Sequence, residues 1–399
     1  MRAPSALGLP VILQIIFLTV APAGAGTTPD AAFETVIPGH HLASGRQLVV
    51  DEAGNGYLAA GFQGAFNDIL VAKVAPDGEV LWQRAFAGSD IDIATALAFD
   101  AEGELLVAGW TDSADFETTV DALQPMPAAF REAFLVRLDP ADGRLLYGTF
   151  LGAGHTEQAE ALAVAADGRI LLAGSTDSPD FPVADALQPE LANFPYQHSD
   201  GFVTVLSPDG RSVLSSTYLG AGRDDVVTGA AFAADGSIVL AGRTDSTDYP
   251  VTAGGRPYAG GSQDAFVTVL SADADAILAS THVGGEGWDG LRGFALGPDG
   301  SPYLAGVTTS HRLPGTAGAW EPDFVGAPDG CEVGFSGRRD CYDGFAARLE
   351  PDLTSIRWAT YVGGTRDEEI RDIAVDGAGR ARLAGYTDSA DYPGTTRPS

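Results

Sequence analysis

Short apolar runs alternate with short polar breaks along almost the whole chain. The runs span five to seven residues and are separated by Gly, Pro and Asp, a strand-and-turn pattern and not a helical one. They recur in a fixed order. A small or acidic residue, a Gly, an apolar run and Ala-Gly appear in six copies, whose closing Gly falls at 61, 109, 174, 242, 306 and 385. The intervals are 48, 65, 68, 64 and 79 residues. A second string follows five of the six: an acidic residue, a small residue, an apolar run, a turn, another run and a Gly. Asp200-Gly201-Phe202-Val203-Thr204-Val205-Leu206 and Asp264-Ala265-Phe266-Val267-Thr268-Val269-Leu270 show it best, with close copies from Glu132 and Asp343.

Each repeat therefore predicts four strands. In the third copy they are A (160–166), B (169–173), C (202–206) and D (213–219). A turns to B at Asp-Gly, and C to D at Pro-Asp-Gly or a relative, both tight-turn sequences. Run A is small and apolar on both sides, as a strand buried on both faces would be. Units of this length with four strands predict an all-β fold, a β-propeller of four-stranded antiparallel sheets. Six blades are expected. The last has only A and B runs and would be closed by the N-terminal strand Phe33 to Gly39, which removes an open sheet edge. The alternative is part of a seven-bladed propeller.

Composition adds an address. Arg2, an apolar core from Val11 to Val20 and the small residues Ala21 to Ala25 read as a signal peptide over 1–25. The mature chain, 26–399, is then a single exported propeller domain, periplasmic or extracellular, and no membrane span is expected. The formal net charge is −31, with one lysine, Lys73. Such a chain repels phosphate backbones and anionic lipid, so nucleic-acid partners are not expected. A monomer is expected, with a protein or glycan at the cell surface as partner. Cys331 and Cys341 lie in a Gly-rich, charged insertion in blade five (307–342), and in an oxidising compartment they predict a disulfide.

Gly174-Ser175-Thr176-Asp177-Ser178-Pro179-Asp180-Phe181-Pro182 and Gly242-Arg243-Thr244-Asp245-Ser246-Thr247-Asp248-Tyr249-Pro250 resemble the bacterial SBBP repeat, a β-propeller repeat of exported proteins. The Asp-Ala-Phe-Val run and the closing Thr360-Tyr361-Val362-Gly363-Gly364 are similar to the same family, and the resemblance covers about residues 44–397. It implies a propeller of secreted or surface proteins and no general activity. Blade one lacks the Thr-Asp-Ser phrase, blade five loses both its Asp residues, and six copies depart from a family named for seven blades.

Candidate chemistry concentrates in the loops between B and C runs, at 111–131, 175–199, 243–263 and 307–342, which share one end of a meander with the D-to-A connections. Asp112 and Asp115, Asp177 and Asp180, Asp245 and Asp248, and Asp388 and Asp391 each sit three apart. One reading is calcium, since Asp pairs with Ser, Thr and carbonyl oxygens could supply six to eight ligands. The other is local: Asp and Ser cap their own turn. No Asp-x-Asp-x-Asp-Gly loop, HExxH or GxSxG motif is present. Two functions remain open. One is a binding module, contacting its ligand through the aromatic residues Trp320, Phe324, Phe335 and Tyr342 of the blade-five insertion; these could equally pack the insertion onto the propeller. The other is a polysaccharide-active glycosidase or lyase using channel carboxylates, an idea that rests on fold analogy.

Overall fold

A computed structural model describes residues 15–18, 31–35, 42–63, 67–192, 198–326, 331–333, 337–339 and 341–392. The described residues are strands, turns and loops, without a helix. The chain divides into two compact units, Met1–Ala159 and Glu160–Ser399.

In the first unit, β1 (Ile15–Leu18) pairs with β2 (Ala31–Thr35). β3 (Leu42–Val50), β4 (Gly56–Gln63), β5 (Asn67–Val74) and β6 (Val80–Phe86) form one four-stranded sheet. β7 (Asp92–Phe99), β8 (Leu105–Thr111), β9 (Glu132–Leu138) and β10 (Leu145–Leu151) form the next. β11 (Glu157–Val164) crosses the boundary and heads a sheet completed by β12 (Ile170–Thr176), β13 (Asp200–Leu206) and β14 (Val213–Leu219).

In the second unit, β15 (Asp225–Phe232), β16 (Ile238–Thr244), β17 (Asp264–Leu270) and β18 (Ile277–Val283) form another sheet. The next holds β19 (Asp289–Leu296), β20 (Pro302–Thr308), β23 (Asp343–Leu349) and β24 (Ile356–Val362). Its B-to-C loop carries the small hairpin of β21 (Cys331–Val333) and β22 (Gly337–Arg339). β25 (Glu368–Val375) and β26 (Ala381–Thr387) form a two-stranded sheet. Every four-stranded sheet is an antiparallel meander in chain order, the blade of a β-propeller.

One expectation is corrected. The strand that includes Phe33 pairs with β1, in the register Phe17↔Phe33, and not with β25 or β26. The partner is near in sequence, and pairing segments that are near in sequence costs less chain entropy than pairing the two ends of the chain. Residues 36–39 of the same expected segment lie outside the described residues.

The core follows from the C strands. Phe134, Phe202, Phe266 and Phe345, each two residues after the acidic head of its strand, are fully buried. Each gains about 1.5–3 kcal/mol from leaving water. The B-to-C loop sends a second ring onto three of them: Phe116 onto Phe134, Phe181 onto Phe202 and Tyr249 onto Phe266, with centroids 4.5, 4.9 and 4.4 Å apart.

The Ala-Gly that closes each B run has a specific cause. The A strand bulges opposite it, with register shifts at Ala94/Ala96, Val227/Gly229, Leu291/Gly293 and Ile370/Asp372. The bulge presses the A-strand backbone onto the Gly. A Cβ on Gly242 would run into the Val226 carbonyl oxygen, and Gly109, Gly306 and Gly385 meet the same obstruction.

Candidate functional site

The recurring acidic residues divide into two layers. The outer layer is the Thr-Asp-Ser-x-Asp phrase. In blade two, Ser113 N–H donates to Thr111 Oγ1 at 2.9 Å. Asp112 takes a two-bond ion pair from Arg131, at 2.7 and 2.8 Å, and Arg131 stacks over Trp110, 3.9 Å from its ring centre. Asp115 accepts the Ser89 N–H from the preceding D-to-A connection at 2.8 Å, and this hydrogen bonding holds its carboxyl below the usual range. The same geometry repeats. Asp248 accepts Gly222 N–H at 3.2 Å, and Asp391 accepts Thr365 N–H at 3.2 Å. Asp245 takes the Gln263 side-chain amide at 2.9 Å. Asp388 donates its N–H to the Asp367 carbonyl at 2.9 Å. In the third blade, Ser178 N–H donates to Thr176 Oγ1 at 3.0 Å between Asp177 and Asp180. The phrase thus ties a B-to-C loop to the D-to-A connection before it, and its two Asp residues engage different partners. Among the described residues no three His, Cys, Asp or Glu side chains converge as a metal site.

The inner layer is a set of buried acids at the heads of two strand types. The C strands begin with Glu132, Asp200, Asp264 and Asp343, and the A strands begin with Asp92, Glu157, Asp225, Asp289 and Glu368; all nine are 0% exposed. They meet in pairs across consecutive sheets. Glu132 and Glu157 both press on Gly152, and Asp264 and Asp289 both press on Gly284, so a Cβ at either Gly would strike carboxylate oxygens. Asp68, 4% exposed, stands against Asp92 in blade one.

Burial dominates the electrostatics. It pushes Glu132, Asp200, Asp225, Asp264 and Asp343 up to about 7 and Asp92 to about 6, and the acid opposite adds to the rise. For Asp200 the added charge is Asp224. Thr and Ser of the outer layer hold the A-strand acid. Ser246 Oγ donates to Asp225 Oδ2 at 3.0 Å, and Ser310 Oγ to Asp289 Oδ2 at 2.8 Å. Thr308 Oγ1 donates to Asp289 Oδ1 at 2.5 Å, and Thr111 donates likewise to Asp92. Among the acids heading the A strands, Asp92, Asp225, Asp289 and Glu368 read in sequence as D-to-A loop charges. An acidic head on an otherwise apolar run, copied in nearly every repeat, was the signal of this layer.

The long loops also cover edges. Thr119 N–H bonds the Gly148 carbonyl and Phe150 N–H the Gln124 carbonyl, at 3.0 and 3.1 Å, so this loop runs beside β10. Ala184 and Ser216 exchange two such bonds at 2.9 and 2.8 Å beside β14. Residues 252–256 line β18, and residues 315–321 line β24. An outer strand with unpaired N–H and C=O groups invites foreign pairing, and these loops occupy that edge. At the ends of two straps, a Gln before Pro turns inward. Gln188 donates to Asp200 Oδ2 at 2.6 Å and accepts Gly220 N–H at 3.0 Å, and Gln124 does the same with Glu132 and Gly152.

Of the expected contact aromatics, Trp320 is 64% exposed. Phe324 stacks on His311 at 4.5 Å and packs against the core. The Tyr342 hydroxyl meets that of Tyr386 at 3.5 Å. Phe335 and the side chain of Cys331 lie outside the described residues, whereas Cys341 is buried. Val120, Met126 and Phe130 stand exposed on the loop of blade two. A cleft of about 890 Å³ lies in the second unit at the opposite, Asp-Gly-turn end, lined by Arg169, Phe232 and Leu296 with Asp167, Asp235 and Asp299 on its turns. No helix among the described residues is long and apolar enough to cross a membrane.

No family model and no curated protein matches the chain. Solved structures that resemble it include a protein of unknown function from Dyadobacter fermentans, 13% identical, with a TM-score of 0.44 over 88% of this chain and 98% of that one. Polysaccharide lyase Uly1 is 8% identical, with a TM-score of 0.42 over 86% and 81%. A gluconolactonase of Xanthomonas campestris is 14% identical, with a TM-score of 0.36 over 86% and 95%.

Proposed function

We propose that the protein is an exported β-propeller binding module that meets its partner, a protein or glycan, through the long loops between B and C strands. The observation that supports this reading is the placement of exposed apolar side chains. Val120, Met126 and Phe130 crowd one such loop, and Trp320 and Val325 stand on another, all exposed. Large exposed apolar groups on loops held by a rigid sheet are the usual anchors of recognition.

Export through a signal peptide at 1–25, whose removal would take β1 away from β2, a six-bladed single domain of SBBP type and a disulfide between Cys331 and Cys341 belong to the same proposal. The Cys331 backbone pairs with that of Arg339, two positions before Cys341, which suits a bridge. The enzymatic alternative requires a reachable carboxyl held protonated as a general acid. The acids pushed upward are sealed at 0% exposure except Asp68, Glu104, Glu321 and Asp372. The cleft acids Asp167, Asp235 and Asp299 are shifted downward.

The test is a glycan and protein array probed with the full chain recovered from an exporting host, with Trp320→Ala and Phe130→Ala beside it. Selective retention that either variant weakens at least tenfold, with an unchanged melting curve, supports the proposal. Retention that neither variant changes overturns this contact surface, and hydrolysis or elimination of an arrayed polysaccharide favours the enzyme.

A further inference from the structure

We propose that the cleft at the Asp-Gly turns of the second unit binds an organic cation with an apolar body, an amine or guanidine that pairs with Asp235. The A-to-B turns of the six sheets supply the comparison. Each carries an aspartate whose Oδ1 accepts backbone N–H groups of its own turn. In five of them Oδ2 faces a cation: Asp51 with Lys73 at 3.9 Å, Asp100 with Arg137 at 3.2 Å, Asp167 with Arg169 at 2.9 Å, Asp299 with Arg348 at 2.5 Å and Asp376 with Arg380 at 2.7 Å. Asp235 is the exception. Its Oδ1 accepts the Ser237 N–H and Oγ, at 3.0 and 2.6 Å, and no ion pair reaches its carboxylate among the described residues.

The cause lies in one cross-strand row. Register sets Tyr57, Lys73 and Trp82 side by side across β4, β5 and β6, and Tyr303, Arg348 and Trp358 across β20, β23 and β24. Each cation lies over its tyrosine, 4.9 and 5.1 Å from the ring centre, and the two rings of each row are 5.9 and 6.1 Å apart. In β16, β17 and β18 the same row holds Val239, Val269 and Ala279. Two rings and a cation are replaced by three small apolar side chains, and the cleft of about 890 Å³ is lined by Val239 and Val269 of this row. Phe232, Leu278 and Leu296 add apolar wall, and Leu278 stands 56% exposed. The row of β12, β13 and β14 is small as well, Leu171, Val205 and Ser215, but there Arg169 serves the turn aspartate itself. The charges facing the cleft favour a cation. Arg169, the one cation in its lining, is committed to Asp167, to the Ala272 carbonyl at 2.9 Å and to Asp273 at 3.9 Å. Arg348 holds Asp299, which leaves Asp235 as the unanswered charge. An inorganic ion gains nothing from Val and Leu walls, whereas an alkyl or aryl stem buries against them while its charged head stays at the carboxylate.

The test is a saturation-transfer NMR titration of the full chain with benzamidine, an aromatic cation, and with benzamide, its neutral analogue of the same shape. Benzamidine should bind saturably and about two- to fivefold tighter than benzamide in low salt, the range of an exposed ion pair. Added salt should shrink that advantage. Asp235→Asn keeps the oxygen that caps the turn and should remove the advantage while leaving benzamide binding unchanged. Val269→Arg supplies the chain's own cation, as Arg348 does for Asp299, and should abolish benzamidine binding without lowering the melting temperature. A blocked peptide, acetyl-Phe-Arg-amide, separates the sources of the cation. Tighter binding of the peptide assigns the cleft to an arginine of a protein partner, and tighter binding of benzamidine assigns it to a small free cation. Absence of saturable benzamidine binding overturns the proposal. So does equal binding of benzamidine and benzamide, or an advantage that survives Asp235→Asn. If Val269→Arg does not fold, the Asp235→Asn comparison decides alone.

Discussion

Replacing Tyr218 by Phe isolates one link between a loop and the sheet core. The Tyr218 hydroxyl donates to the Ser178 carbonyl at 2.6 Å and accepts the Phe181 N–H at 3.0 Å. Ser178 and Phe181 are 0% and 3% exposed, so neither backbone group reaches water when the hydroxyl goes. The ring stays in place against Phe181, at 5.9 Å between centroids, and no apolar area is lost. The two backbone groups also bond each other, Phe181 N–H to the Ser178 carbonyl at 3.3 Å, so the cost is that of two weakened rather than stranded groups, about 1–3 kcal/mol in all. Urea unfolding followed by tryptophan fluorescence should show a lower midpoint with an unchanged slope. Hydrogen exchange at the Phe181 amide should accelerate before any other core amide. Tyr258→Phe is the control: its hydroxyl meets Gly261 O at 3.3 Å in an exposed loop, so it should cost under about 0.5 kcal/mol. A loss below about 0.5 kcal/mol for Tyr218→Phe would refute the view that this loop is pinned through its backbone.

Two further outcomes follow from the same geometry. Gly242→Ala sets a methyl against the Val226 carbonyl and the Phe266 ring, and it should cost at least about 3 kcal/mol or abolish folding, read as soluble yield and urea midpoint. Arg131→Ala removes a partly buried ion pair and a ring-stacked guanidinium, and it should cost about 1–2 kcal/mol, part of it screened in high salt.

The strand order was legible because each run is bounded by residues with one local meaning. The Asp-Gly turns, the apolar C strands and the four-run unit all follow from neighbours within a few positions. What stayed hidden depends on partners far along the chain. Asp225 and Asp289 look like loop charges until the A strand is seen to begin at them. Their burial comes from a C strand one sheet earlier and from Ser246 or Ser310 one loop later. The long loops suggested open binding segments, yet residues 184–188 and 252–256 spend their backbone bonds along an outer strand. The Ala-Gly signature was visible as a repeat, but its cause, an A-strand bulge opposite the Gly, is a register effect that composition does not encode. The N-terminal strand went astray for the same reason: an apolar run and a sheet edge name no partner by themselves.

The most direct measurement is the melting temperature of the full chain in chelator and in millimolar calcium at pH 7.5. The account holds that Asp115, Asp248 and Asp391 are acceptors for backbone N–H groups and that their loops are ties between sheets. It predicts melting curves that superimpose, and a further decrease in stability for Asp248→Ala that is the same in both buffers. A rise of several degrees in calcium, lost in Asp248→Asn, would contradict it and make the repeated phrase a metal site.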